Sequence, residues 1–172
     1  EISRWNHEIL YSVGLSAGLG SNDIGLDRGK LLHNGIVRFE KTGRKVLMVQ
    51  PNYDYRAVTP NKAEQKAVAQ SFGESVLWGF VAEAATDQRI LVDATDFLVR
   101  DAGQVAIDLK RSNQGAYQLD KTRSALYLPA TRNFPLNTEL EATVTFTNSD
   151  GQTGAFVRSV APSADAVTLR LH

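Results

Sequence analysis

The sequence predicts an α+β fold: a largely antiparallel, twisted sheet built from hairpins, carrying two principal helices. Two observations predict the sheet. Leu140, Ala142, Val144 and Phe146 alternate with Glu141, Thr143, Thr145 and Thr147, the period of a strand with one wet face. Short polar turns with glycine, Lys41–Arg44 and Asn148–Gln152, follow apolar runs closely enough to make hairpins. A third observation supplies the helices, since only the stretches after Asn61 and Asp101 combine a capping pattern with helical spacing.

The elements follow in order. Ile9, Tyr11, Val13 and Leu15 alternate with small residues and read as a strand. A glycine-rich stretch, Ser16 to Gly29, comes next. Leu31 and Leu32 lead through His33-Asn34-Gly35 into a hairpin of Ile36–Glu40 and Lys45–Gln50. Its return strand is apolar on both faces and belongs in the middle of the sheet. A helix is expected from Asn61, with Glu64 at capping-box spacing, Ala63, Ala67, Val68 and Phe72 on one face, and Gly73 as its stop. Thr59-Pro60 is a competing start.

Ser75–Val81 and Arg89–Val92 read as strands around an Ala84–Gln88 turn. Asp93-Ala94-Thr95-Asp96 opens a helical turn through Phe97 and Leu98, and a helix follows from about Ala102 to Arg111. Short strands are expected at Tyr117–Leu119 and Ala125–Leu128 and a long one at Glu139–Thr147. Phe156–Val160 and Ala166–Leu171 complete the sheet. With no linker or repeat visible, residues 1–172 are read as one domain. Glu1 is not a natural start, so a piece excised from a larger multidomain protein is expected.

Composition excludes several classes of function. Lys plus Arg equals Asp plus Glu, 19 of each, so no nucleic-acid partner is expected. No apolar run approaches the roughly 20 residues of a membrane helix, so no membrane insertion is expected. There is no cysteine, hence no disulfide, thiolate nucleophile or cysteine metal site.

The chemical motifs are incomplete. His7-Glu8 resembles the start of HExxH, but Tyr11 stands where the second histidine belongs. No G-x-S-x-G elbow accompanies His7 or His33, so a Ser-His-Asp triad has no signature. Asp93, Asp96 and Asp101 could serve a hydrolase with one of those histidines, yet their places at helix starts suit capping and the helix dipole better. Gly18 and Gly20 begin a G-x-G-x-x-G pattern in which Asp23 holds the third position, and no phosphate-loop lysine follows. Gly18, Gly20, Asn22, Asp23, Gly25, Asp27 and Arg28 are therefore read as a structural loop signature. Its glycines take positive φ, its aspartates organise hydrogen bonds, and Arg28 pairs with one of them. Tyr53, Tyr55 and Arg56 form a candidate binding surface.

Five segments carry a family resemblance: SAGLGSNDIGLDRG (16–29), VRFEKTGRKVLMVQPNYDYRA (37–57), SVLWGF (75–80), LVDATDFLVRDA (91–102) and SALYLPATRNFPLNTELEATVTFT (124–147). In this order they resemble the domain of unknown function that precedes the catalytic domain in bacterial met-zincin-type zinc-dependent metalloproteases. The resemblance spans about residues 8–147. It implies a non-catalytic accessory domain whose partner is the protease domain of the same polypeptide, with peptide substrate as a further partner. It also implies a periplasmic, cell-envelope or secreted location. Zinc and its HExxH would lie in the parent's catalytic domain, leaving this chain no cofactor and no catalytic residue. The competing expectation is an independent peptide- or glycan-binding module.

Overall fold

A computed structural model describes residues 1–172. It is a mixed fold of four α-helices and antiparallel strands. The strands are β1 (Ile9–Ala17), β2 (Leu31–Thr42), β3 (Lys45–Gln50), β4 (Ser75–Ala85), β5 (Ile90–Val92), β6 (Tyr117–Leu119), β7 (Ala125–Leu126), β8 (Arg132–Asn133), β9 (Thr138–Glu139), β10 (Ala142–Asn148) and β11 (Ala166–Leu171). The helices are α1 (Lys62–Ser71), α2 (Thr95–Leu98), α3 (Val105–Arg111) and α4 (Ala155–Val160). The chain forms two compact units, Glu1–Tyr11 with Gly35–Ala94 and Ser12–Asn34 with Thr95–His172.

The first unit is an antiparallel meander. β2 pairs with β3 through Arg38↔Val49 to Thr42↔Lys45, β3 with β4 through Lys45↔Val81 to Gln50↔Ser75, and β4 with β5. β3 is central, as its two apolar faces predict, and Val46, Met48 and Val49 are buried. Val37 and Phe80 complete this core, and Phe80 lies 6.4 Å from Phe39 between ring centroids. β2 begins at Leu31 and runs unbroken through His33-Asn34-Gly35, so the expected lead-in is strand.

α1 starts where the capping pattern places it. The Asn61 side chain accepts from the Ala63 N–H at 2.9 Å and donates to Glu64 Oε1 at 3.1 Å. The helix ends at Ser71 with Phe72 as its C-cap, so the expected glycine follows directly after the cap. None of its residues is buried, and the Ala63–Phe72 face that the pattern suggests as a packing face is largely exposed.

The second unit is built around β10. It pairs with β11 in strict register from Ala142↔Leu171 to Thr147↔Ala166, and with β6 and β7 along its other edge. β11 also pairs with the end of β1, Leu15↔Leu171. Phe146, Val144, Leu26, Leu109, Val105 and Val157 are the most completely buried apolar side chains here, with Leu169 and Val167 from β11 beside them.

Four expectations are corrected in this unit. The long strand from Glu139 is broken at Leu140-Glu141 into β9 and β10. Its polar face is not wet throughout, because Glu141 and Thr145 are only 4% and 5% exposed. Phe156–Val160 is helix α4, not strand. The helix expected from Ala102 starts at Val105, because Gln104 takes a left-handed conformation at φ 56°. Asp101 still caps it, accepting from Val105 N at 2.7 Å and Ala106 N at 3.0 Å.

Candidate functional site: a polar cleft beside the glycine-rich loop

The Ser16–Gly29 stretch folds back on itself. Leu19 N–H donates to the Leu26 carbonyl at 2.8 Å, and Gly29 N–H to the Leu15 carbonyl at 2.7 Å. Between these ties the loop buries Leu19, Ile24 and Leu26. Asn22 organises the tip: its Nδ2 donates to the Leu19 carbonyl at 2.9 Å and its Oδ1 accepts from Ile24 N at 3.0 Å. Gly20 and Gly25 hold φ of 77° and 73°, where a side chain would be strained. Gly18 is required by space, since a β-carbon there would lie 2.0 Å from the Leu26 carbonyl oxygen.

The charged residues of the stretch do something else. The Asp23 and Asp27 side chains make no hydrogen bond, and Arg28 makes no ion pair. The expected roles of aspartate as organiser and arginine as its partner are thus taken by Asn22 and by the backbone. Asp27 Oδ1 is buried without a partner, a situation that costs about 1–3 kcal/mol when nothing meets the group.

Asp27 and Arg28 form part of the wall of a cleft of about 720 Å³ that also touches Gly18 and Gly20. Its other side comes from the sheet, through Ser16 of β1, Arg170 of β11 and Glu141 just before β10. Ser16 Oγ donates to the Glu141 carboxylate, and Arg170 Nη1 stands 3.5 Å from the same oxygen. Arg170 is steadied by lying 4.5 Å over the Tyr127 ring, a cation–π arrangement. Glu141 and Arg170 are diagonal neighbours across the β10–β11 pair, within reach of long side chains.

The sequence gives no sign of this grouping. Glu141 sits on what reads as a solvated strand face, and Arg170 on a strand nearly 30 residues away. A second cleft, of about 350 Å³, is lined by Leu19, Val160, Ala161 and Pro162 and shares Gly18 and Gly20 with the first.

Elsewhere most of the candidate residues are occupied. In the first unit the Tyr53 hydroxyl donates to Glu8, and the Tyr55 ring stacks on Phe72 at 4.0 Å and 5°. Arg56 is exposed beside them in sequence with no partner of its own. In the second unit Asp101 is consumed as a cap, and Asp96 forms an exposed ion pair with Lys121 at 2.8 Å. No three His, Asp or Glu side chains converge as metal ligands would, and no helix is long and apolar enough to cross a membrane.

In comparison with known families, the family model described as Domain of unknown function (DUF5117) matches residues 29–172. The match begins at Gly29, so all but the last residue of the Ser16–Gly29 loop lies outside it. No curated protein and no solved structure matches the chain.

Proposed function

For this chain, which belongs to the DUF5117 family, we propose the role of a non-catalytic accessory domain that docks against another part of the same polypeptide. The observation that carries this reading is a run of exposed apolar side chains in the second unit. Leu128 is 67% exposed, Leu136 fully exposed, and Phe134 45% exposed, within the irregular 126–140 segment that holds the small β8–β9 hairpin. Apolar side chains gathered on one exposed segment are the usual mark of a surface that another body covers. The resemblance described above supplies the finer identity of the partner, a zinc-dependent peptidase domain, and with it an exported or cell-envelope location. In that arrangement the chain shapes the peptidase cleft or helps hold peptide substrate, while zinc and the catalytic residues sit in the neighbouring domain.

The test compares this chain alone with the natural polypeptide that contains it. With zinc supplied, peptidase activity is expected only from the longer protein. Leu128→Asp with Leu136→Asp is expected to weaken activity or assembly there while leaving the fold of the isolated chain intact. Peptide hydrolysis by the isolated chain would overturn the reading.

A further inference from the structure

The residues that line the polar cleft divide by what they do for the fold. Asn22 and the glycines hold the loop, and Ser16, Glu141 and Arg170 satisfy one another. Arg28 and Asp27 do neither: the guanidinium is exposed and unpaired, and a buried carboxylate oxygen lacks a donor. A free fork of N–H donors in the wall of a cleft describes half of a recognition site. The adjoining cleft, which carries the Leu19, Val160 and Pro162 side chains in a mixed wall, describes the other half, and the two meet over the Gly18–Gly20 backbone.

We propose that these joined clefts bind a peptide carboxylate flanked by a small apolar side chain. The carboxylate lies on Arg28, and the apolar side chain fills the cleft beside Val160. Charge selects this class. Arg170 is engaged by Glu141, which leaves Arg28 as the unpaired cation of the cleft, a match for the single charge of a carboxylate and not for a phosphate dianion. A peptide brings one negative charge together with amide donors. A sugar is served less well, because no aromatic ring lines the cleft and the Tyr127 ring is covered by Arg170. The carboxylate can be a chain terminus or an acidic side chain, which present the same two oxygens. The inference stands independently of the docking segment at 126–140.

The experiment titrates the ¹⁵N-labelled chain with three acetylated tripeptides and follows backbone amide shifts. The probes are Ala-Ala-Val with a free C-terminus, the same peptide amidated, and amidated Ala-Asp-Val. Saturable shifts centred on Gly18, Gly20 and Arg28 are expected with the first probe, the third, or both, which tells terminus from side chain, and not with the second. Arg28→Gln is expected to weaken that binding about tenfold or more. Its melting temperature should be unchanged, because Arg28 makes no contact that the substitution removes. Lys41→Gln, at an exposed position of β2, is the control and should leave binding as it was. Equal binding of the amidated Ala-Ala-Val peptide, unchanged affinity in Arg28→Gln, or no loop shifts with any probe up to millimolar concentration would each overturn the proposal.

Discussion

A β-carbon at position 18 would lie 2.0 Å from a carbonyl oxygen of its own loop, whereas the Arg28 side chain touches no charged partner. Substitutions across this one stretch should therefore separate sharply. Gly18→Ala should cost at least about 2 kcal/mol, because the obstacle is backbone and cannot swing away. Gly20→Val should cost a similar amount, since a β-branched residue is held at positive φ. Asp23→Asn and Arg28→Gln should stay within about 0.5 kcal/mol. Denaturant melts of the four variants check this, and a harmless Gly18→Ala would contradict the loop geometry.

A second residue-scale prediction concerns acid. Hydrogen bonds from the Arg38 guanidinium hold the Glu74 carboxyl below its ordinary 4.5. Those from Thr122 and then Arg123 hold Asp120 down to about 2. A carboxyl depressed in the folded state stabilises fully above its unfolded value, and that stabilisation disappears as pH falls through the folded value. Glu74→Gln should thus make the loss of stability below about pH 4.5 shallower, by less than about 1 kcal/mol because the pair is substantially solvated. The Asp120 contribution should vanish between about pH 4 and pH 2. Melting temperatures of wild type, Glu74→Gln and Asp120→Asn across pH 2–6 measure the two contributions.

At the scale of elements, α4 shows where sequence reasoning fails and why. Its N-cap, Gly154, offers no side chain, and the N–H groups of Phe156 and Val157 are instead met by Oε1 of buried Gln114 at 3.1 and 3.2 Å. That cap comes from more than 40 residues away, so no local pattern announces a helix, and Phe156–Val160 reads as a strand. The same holds for the break at Leu140-Glu141 and for buried Glu141, whose partners Ser16 and Arg170 are assembled only by the sheet. What local chemistry controls was legible: the Asn61 cap, the Asp101 cap, the central place of β3, and the Asn148 turn, in which Oδ1 accepts from Asp150 N and Gly151 N, although that turn leads into α4 and not into the return strand of the expected hairpin. The glycines of the 16–29 loop were legible for the same reason, whereas the cleft beside them depends on strands far along the chain.

The distant cap makes a prediction. Gln114→Ala should remove about 1–3 kcal/mol by leaving those first-turn donors unmet, a fall of several degrees in melting temperature at this chain length. A melting temperature unchanged from wild type would mean that α4 is held by its buried Val157 alone.

At the scale of the whole molecule, each unit has a core of its own, yet each leaves apolar groups in solvent. In the first, Val58 is 95% exposed and α1 buries no side chain. In the second, Leu128, Phe134 and Leu136 are exposed along 126–140. The central claim is that this latter segment is covered by a neighbour within the natural polypeptide. Amide hydrogen exchange over residues 126–140, compared between the isolated chain and the longer protein, tests it most directly. The account predicts exchange slowed by about tenfold or more across Leu128–Leu136 in the longer protein, with the β3 amides unchanged. Equal exchange in the two forms would contradict it.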